Sequence, residues 1–398
     1  MIDRRFNIAF VVQRYGSEVL GGAETLCRMY AEALSPHCHV ETLTTCARDY
    51  ETWNNHYPAG VSEERGVRIR RFPVDHPRET GRFNRVDRSI TRNAHWLVDE
   101  HQWMRLQGPV CTRLTRFIEE RRNHYDAFVF FGYLYATTFY NLAAVQDRAW
   151  LFPFTHDEPP VYLRIFEQVF RNPRCLFFLT PEERDFTQRR FGPWLPDGEV
   201  LGVGLAAQTP VLHEAVERFR HRHGLNRPYI LYAGRLDPSK NADQLLRDYL
   251  ALKEHWPEGP DLVLIGRGEL ALPVRPDIKA LGYIDEQDKR AAMTDALCLA
   301  LPSIQESLSI VLLESWLAGR PALVHRDCAA ALGQTRRAQG GLCYRGAGEF
   351  RAAVRQLTEN PAEAIQLGKQ GQRYVLHYYH WPEILQKLFH NLFRDTVV

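Results

Sequence analysis

The chain has 398 residues, of which 45% are apolar, and its formal net charge is +2. The length predicts two or three domains with sizeable cores, and the near-neutral charge excludes a strong basic field for nucleic acid. Residues 1–14 are charged and then strand-like, without the layout of a secretory signal, and no N-terminal apolar run approaches the roughly 18 residues of a membrane span. We therefore expect a cytoplasmic protein that binds no nucleic acid.

The cysteines and lysines add two constraints. Eight cysteines are scattered without the spacings of a disulfide framework or a zinc site, so they predict buried free thiols and no metal. The chain has 44 arginines but only six lysines, and the first lysine is Lys240. A lysine in a candidate site is therefore more informative here than in an average sequence.

The first half of the chain alternates between predicted strands and helices. Residues 7–13 predict a buried strand, and a loop ending at Gly21 and Gly22 leads into a helix over 23–34. Glycines at a helix start let a ligand approach the backbone, although an ordinary turn has the same sequence. A helix is predicted over 109–122, and further strands over 39–44, 67–72, 126–131, 150–154, 175–179 and 199–203.

A run of arginines between these strands has helical spacing. The simpler interpretation is a solvated helix face paired with Glu79 and Asp87. The alternative is a docking surface for an anionic acceptor, or a peripheral contact with the inner face of a membrane. The arginines are Arg78, Arg82, Arg85, Arg88 and Arg92.

The second half restarts the pattern after Leu205, where the sequence turns polar. A strand over 229–233 ends at Gly234 and Arg235, and Lys240 precedes a helix over 242–255. A forked guanidinium and a compact ammonium at a strand end and a helix start suit a diphosphate. Another strand follows over 261–265, and Gly266 comes directly after it.

The stretch from Pro302 to Pro321, PSIQESLSIVLLESWLAGRP, follows a predicted strand over 296–301. It predicts a polar loop and then a helix that Ser307 or Ser309 can cap, with free N–H groups for an anion. Glu306 and Glu314 bracket this turn. Carboxylates on either side of a phosphate site make sense if they bind hydroxyl groups, and a sugar nucleotide has that layout.

This stretch resembles the signature of retaining glycosyltransferases of family 4 (glycosyl transferases group 1), which have the GT-B fold. The Pro-Ser strand end, the two glutamates and the Gly-x-Pro at 319–321 carry the resemblance. It implies an α/β chain of two Rossmann-like domains, with parallel sheets facing each other across a cleft. The acceptor-side domain would comprise 1–205 together with the C-terminal helix 379–398, and the donor-side domain 206–378.

The resemblance also implies roles for individual residues. Arg235 and Lys240 would hold the pyrophosphate, Glu314 the ribose, and Glu306 and His156 the transferred sugar. The remaining donor-binding positions would be Gly21, Gly22, Gly234, Gly266, Tyr283, Ile284, Ser307, Leu308, Ser309 and Ile310. The family has Gly-Phe-Gly where this chain has Ser307, Leu308 and Ser309, so the donor sugar cannot be inferred.

The implied activity is metal-independent, retaining hexosyl transfer in bacterial polysaccharide, glycolipid or glycoconjugate biosynthesis. A UDP- or GDP-linked sugar would be the co-substrate, no cofactor would be needed, and the acceptor would be a sugar, a lipid-linked molecule or a small molecule. Two alternatives remain. A GT-B sugar-nucleotide epimerase would convert or release its donor sugar without an acceptor, whereas a non-catalytic sugar-nucleotide-binding protein would show no turnover.

Overall fold

A computed structural model describes residues 5–19, 21–206 and 209–393. The chain divides into unit 1, Met1–Gly204 with Trp381–Val398, and unit 2, Leu205–His380. Each unit is built on a parallel or mainly parallel sheet, with eight strands in unit 1 and six in unit 2. The predicted fold class, an α/β chain with two parallel-sheet domains, is therefore confirmed.

The sheet of unit 1 has the order β3-β4-β2-β1-β5-β6-β7-β8, and its pairs are parallel except β3 with β4. Half of these strands are short apolar runs; all five residues of β5 are buried, as expected where both faces of a sheet are covered. The order reverses at β1, which lies between β2 and β5. The strands are β1 (Asn7–Val11), β2 (His39–Thr45), β3 (Gly60–Glu64), β4 (Val67–Phe72), β5 (Ala127–Phe131), β6 (Ala149–Phe152), β7 (Cys175–Phe178) and β8 (Gly198–Val200).

In the part of unit 1 that the structure describes, seven α-helices lie between these strands. Helix α1 follows β1 and buries a stripe that includes Leu26, Tyr30 and Leu34. The helices are α1 (Gly22–Leu34), α2 (Thr80–Arg92), α3 (Leu97–Gln107), α4 (Thr112–Arg121), α5 (Ala136–Phe139), α6 (Glu167–Arg171) and α7 (Pro181–Phe191).

Unit 2 has an all-parallel sheet of order β11-β10-β9-β12-β13-β14. Its first strand lies inside the sheet, between β10 and β12, so the strand order reverses at β9. The strands are β9 (Tyr229–Ala233), β10 (Asp261–Ile265), β11 (Ile278–Gly282), β12 (Cys298–Leu301), β13 (Ala322–His325) and β14 (Gly341–Tyr344). The helices are α8 (His213–His223), α9 (Ala242–His255), α10 (Glu286–Asp295), α11 (Ile310–Leu317), α12 (Ala329–Ala338), α13 (Gly346–Glu359) and α14 (Pro361–Tyr378).

The final helix, α15 (Trp381–Phe393), returns to unit 1. Its Trp381 ring packs edge-on against Tyr30 of α1 at 5.2 Å between centroids. A Cβ at residue 204 would fall 2.1 Å from the Trp381 ring, so only glycine leaves room for this contact. This packing is the physical reason for Gly204.

Five points of the prediction for unit 1 and the segment after it need correction. Arg78 precedes α2, which begins at Thr80, so Arg78 is not part of the exposed arginine face. The helix predicted over 109–122 spans Thr112–Arg121. Helix α3 and strand β3 lie where no element was predicted, and so does α8, in the polar segment after Leu205. None of the described helices combines the length and the apolar character that crossing a membrane requires.

Candidate active site

The candidate site of unit 2 lies where β9 and β12 run side by side. These strands pair in parallel, with Leu231 opposite Leu299, so their carboxyl ends meet at one edge of the sheet. The loop after β9 carries Arg235 and Lys240, and the loop after β12 carries Glu306. Because the strand order reverses here, this edge is the position at which open α/β sheets form a ligand crevice.

A side-chain amide ties the two loops together. The Asp237 carboxylate accepts a hydrogen bond from the Lys240 N–H at 3.2 Å and closes the short turn before α9. Asn241 follows with a left-handed backbone, φ 56°, and its side-chain amide donates to the Pro302 carbonyl at 3.0 Å. Residues other than glycine adopt this conformation at a cost, and such positions cluster at functional sites.

Lys240 and Glu306 form an ion pair across these loops. Lys240 Nζ lies 2.7 Å from Glu306 Oε1, with the Lys240 side chain 30% and the Glu306 side chain 13% exposed. Arg235 lies in the same loop as Lys240 and is more exposed; its guanidinium donates to Ser239 Oγ at 2.9 Å and lies 3.5 Å from Asp237. The structure thus brings both cations that were predicted to bind the diphosphate to the edge that carries Glu306.

Helix α11 begins beside this pair. Ser309 is its N-cap and accepts a hydrogen bond from the Leu312 N–H at 3.4 Å, while Leu308 is buried. Of the two serines that could cap the helix, Ser309 therefore does so. The Ile310 end of α11 presents backbone N–H groups at the same edge of the sheet, which favours an anion.

The second glutamate has its own lysine. Glu314, on α11, lies 2.7 Å from Lys289 Nζ on α10, and the two side chains are 17% and 24% exposed. Burial raises the pKa of Glu314, and the attraction of Lys289 opposes this shift. Burial also disfavours the ammonium of Lys289, but its contact with Glu314 outweighs that effect and raises the Lys289 pKa. Sequence reasoning missed Lys289, although the scarcity of lysine was a usable signal.

Glycines let three strand ends pack closely in unit 2. The Gly234 N–H donates to the Ile265 carbonyl at 2.9 Å, and the Gly266 N–H donates to the Gly282 carbonyl at 2.8 Å. A Cβ at Gly266, which has φ 132°, would fall 1.9 Å from the Gly234 carbonyl oxygen. Tyr283, 62% exposed, and Ile284 follow directly after the last residue of β11.

His156 belongs to unit 1 and lies in the loop after β6. Its Nε2 is 3.3 Å from Glu158 Oε2, and its Nδ1 is 3.2 Å from the Phe154 carbonyl. The other Glu158 oxygen accepts a hydrogen bond from Tyr133 at 2.6 Å. Phe154 has a left-handed φ of 59°, so this loop contains the same kind of strained residue as the Lys240 loop.

A buried carboxylate supports the His156 loop from behind. Glu183, on α7, accepts hydrogen bonds from the Thr155 N–H at 2.9 Å and the Leu179 N–H at 2.7 Å. It therefore links the ends of β6 and β7. Burial raises the pKa of Glu183 to about 8, although the backbone hydrogen bonds favour its ionised form.

Gly21 and Gly22 lie at the start of α1 in unit 1. A Cβ at Gly21 would fall 2.1 Å from Glu24 Oε2, so the glycine makes room for this carboxylate. Glu24 is buried and accepts hydrogen bonds from Gln13 at 2.9 Å and Arg14 at 2.8 Å. The glycines thus accompany a buried ion pair that the sequence analysis did not anticipate. Within the described ranges, no group of three or more His, Cys, Asp or Glu side chains is arranged to hold a metal ion.

Comparisons with known proteins agree with this geometry. Residues 214–374, all within unit 2, match the model of the family described as Glycosyl transferases group 1. The chain is also 23% identical over 337 residues to an uncharacterized glycosyltransferase of Methanocaldococcus jannaschii, covering 80% of each sequence.

Solved structures are similar over almost the whole chain. Sucrose-phosphate synthase from Thermosynechococcus elongatus aligns with a TM-score of 0.71 at 18% identity, covering 98% of this chain and 100% of that one. HepE from Anabaena in complex with UDP-glucose aligns with a TM-score of 0.68 at 14% identity, covering 98% and 99%. These similarities identify the fold as GT-B.

Proposed function

We propose that this chain, whose residues 214–374 match the model of Glycosyl transferases group 1, is a retaining glycosyltransferase that moves a hexosyl group from a nucleoside-diphosphate sugar to an acceptor hydroxyl. One observation carries the proposal. Glu306 and Glu314 are half-buried and lie beside the position where the strand order of unit 2 reverses. Each pairs with a lysine at 2.7 Å. Lysine is rare in this chain, so two such pairs at one edge of the sheet are unusual.

In this proposal the cations act on the leaving group. Arg235 and Lys240 lie in one loop and supply two positive charges, to which the Ile310 end of α11 adds backbone N–H groups. Charge that develops on the departing diphosphate is stabilised by donors already in place. These groups account for diphosphate departure without a cofactor or a metal ion.

The glutamates position the sugar nucleotide. Glu314 binds the ribose hydroxyls and Glu306 the hydroxyls of the transferred sugar, and holding both ends orients the anomeric carbon. The ion pair with Lys240 holds the Glu306 carboxylate in place at the edge of the sheet. By resemblance to the family, the acceptor attacks on the face that the diphosphate leaves, and His156 contacts the donor sugar.

The donor and the pathway are proposed from similarity. The HepE structure that this chain resembles holds UDP-glucose, so a UDP-linked sugar is the first donor to test and a GDP-linked sugar the second. We place the reaction in the cytoplasm, in the synthesis of a bacterial polysaccharide, glycolipid or glycoconjugate. A sugar, a lipid-linked molecule or a small molecule is the acceptor.

A surface of unit 1 favours peripheral contact with a membrane. Arg82, Arg85, Arg88 and Arg92 are exposed on α2. The start of α3, directly after α2, exposes 78% of Trp96 and 70% of Val98. Basic and apolar side chains together suit the headgroup region of an anionic bilayer.

Co-sedimentation with phosphatidylglycerol vesicles tests this contact. The protein should sediment with the vesicles, and the double variant Arg85→Glu with Arg88→Glu should do so less. Equal sedimentation of the double variant would contradict the contact.

The activity is tested by binding and turnover together. A thermal-shift panel of nucleoside diphosphates and their sugars should give one preferred base, and Lys240→Ala should reduce the shift at the same ligand concentration. Lys369→Ala, which removes an exposed lysine on α14, should keep it. Sugar transfer that requires an added acceptor supports the proposal. Full conversion of the donor alone would favour an epimerase, and binding without any turnover would favour a non-catalytic sugar-nucleotide-binding protein.

A further inference from the structure

Arg78 is a half-buried cation in unit 1 that is held by uncharged groups. Its guanidinium donates to the carbonyl and side-chain oxygens of Gln107 and lies over the rings of Trp53, at 5.0 Å, and Phe83, at 4.5 Å. Within the described part of the chain, no carboxylate lies at salt-bridge distance from it and no acceptor faces its Nη1. Burial lowers the pKa of Arg78 to about 10, so its charge is held at a cost that a bound anion would offset.

Tyr135 stands next to Arg78 with its hydroxyl available. Both residues contact Trp53: the Tyr135 ring meets it edge-on at 5.6 Å between centroids. Among the residues that the structure describes, no group hydrogen-bonds the Tyr135 hydroxyl. Burial raises the pKa of Tyr135 to about 12, and Glu24, Arg14, Arg78 and Glu158 lie close enough to influence it electrostatically.

These groups lie at the same edge of the sheet as His156. Trp53 follows β2, Arg78 follows β4, Tyr135 follows β5 and His156 follows β6. Glu158, which acts electrostatically on Tyr135, contacts the His156 ring. Trp53 has a left-handed φ of 57°, like Phe154 in the His156 loop. The Trp53 loop therefore shares the backbone strain found in the two loops already assigned to chemistry.

The second arginine of this edge is already neutralised. Arg14 pairs with Glu24 at 2.5 Å and lies over the Tyr50 ring at 5.5 Å. Tyr50 is 39% exposed, so part of this aromatic side chain can also contact a sugar. Arg78, by contrast, feels the carboxylates of Asp49 and Asp87 only from beyond salt-bridge distance, and it stands beside an aromatic ring and the Tyr135 hydroxyl.

We infer that Arg78 and Tyr135 form a binding site for an oxyanion, a phosphate or a carboxylate, carried by a sugar acceptor that lies along Tyr50. That the bound sugar is the acceptor rests on the proposed function, whereas the binding of an oxyanion by Arg78 and Tyr135 does not. A guanidinium fork and a hydroxyl donor match the oxygens of either anion. The acceptor would therefore be a sugar phosphate or a uronic acid rather than a neutral sugar.

The test titrates a hexose 6-phosphate, a hexuronate and a neutral hexose into the full chain by calorimetry, without nucleotide. One of the two anionic sugars should bind at least about tenfold more tightly than the neutral hexose, and the identity of that sugar distinguishes phosphate from carboxylate. Arg78→Met should remove this preference, Arg78→Lys should weaken it, and Tyr135→Phe should reduce it without changing the charge.

Controls separate this site from structural effects and from the donor site. Arg70 is also stacked on a ring, Phe117 at 4.8 Å, but Glu41 pairs with it at 2.8 Å, so Arg70→Met should keep the preference. Lys240→Ala should keep it as well, because that lysine belongs to the proposed nucleotide site. Equal affinity for all three sugars, or unchanged anion affinity in Arg78→Met and Tyr135→Phe, would overturn the inference. Failure of nucleotide binding would instead count against the proposed function.

Discussion

The Lys289–Glu314 pair allows a quantitative test of the ribose side of the site. Replacing Lys289 by Met removes the cation but keeps most of the side-chain volume, and leaves Glu314 with 17% of its side chain exposed. At 2.7 Å the pair gains roughly 6 kcal/mol of attraction for an effective dielectric of about 20, most of which desolvation offsets. Removing one partner of a buried pair costs about 3–5 kcal/mol. Because both side chains retain some exposure, we expect about 2–3 kcal/mol for Lys289→Met.

A double-mutant cycle measures this coupling. Lys289→Met and Glu314→Gln should each lower the free energy of unfolding of unit 2 in chemical unfolding. The loss in the double variant should be smaller, by about 2 kcal/mol, than the sum of the two single losses. The destabilisation by Lys289→Met should shrink as the pH falls. The sign follows from Glu314: burial raises its folded-state pKa, more so without Lys289, so proton uptake at low pH stabilises the folded protein.

Nucleotide affinity separates orientation from stability. Lys289→Met should weaken binding of the preferred nucleoside diphosphate about tenfold, because Glu314 loses the contact that orients it. Lys253 is the matched control: it is buried, donates to the Gly259 carbonyl at 2.8 Å and lies 3.7 Å from Asp277. Lys253→Met should lower stability and leave affinity unchanged. Additive energies in the cycle, or equal losses of affinity in both lysine variants, would refute the reasoning.

Three further predictions concern other parts of the two units. Lys240→Ala should weaken nucleoside-diphosphate binding about tenfold or more, because a charge-assisted contact is lost. Unchanged calorimetric affinity would contradict a role of Lys240 in binding the diphosphate. Glu306→Gln should reduce turnover while sparing affinity for the bare diphosphate, whereas Glu314→Gln should weaken diphosphate and sugar donor alike; equal effects on the bare diphosphate would mean that the glutamates do not divide the ligand. Glu183, with a pKa of about 8 in the folded protein against 4.5 ordinarily, holds more protons folded than unfolded, so stability falls as the pH rises through this window. The free energy of unfolding should therefore fall by on the order of 4 kcal/mol between about pH 5 and pH 9, and Glu183→Gln should remove this fall. An equal dependence of the unfolding free energy on pH in Glu183→Gln would contradict the raised pKa.

Prediction from sequence succeeded where a buried apolar run is bounded by turn residues. Strands β4, β9 and β10 and helix α9 have their predicted bounds, because each has a clear period and a polar or glycine boundary. Strand β3 was missed because it is an exposed edge strand with polar residues, which leaves no alternation to detect. Helix α3 was missed because its buried side includes Glu100 and Gln107, which an apolar period does not detect.

The candidate site was predictable to the level of its loops, but not of its pairs. A strand end followed by a motif places Arg235, Lys240, Glu306 and Glu314 at one edge of the sheet, since parallel strands end together. That Lys289 would face Glu314 depends on how α10 packs beside α11, which no local pattern encodes. Arg78, in contrast to Lys289, was noticed in the sequence but assigned to the wrong place. Its helical spacing placed it on an exposed face, whereas α2 begins two residues later and Arg78 turns toward Trp53.

The central claim is that the edge of unit 2 between β9 and β12 holds a sugar nucleotide. A crystal structure of the protein with the nucleoside diphosphate preferred in the thermal-shift panel tests it most directly. We predict diphosphate oxygens in contact with Lys240 and Arg235, and ribose hydroxyls hydrogen-bonded to Glu314. A nucleotide bound elsewhere on the chain, or one whose diphosphate lies away from both cations, would contradict the account.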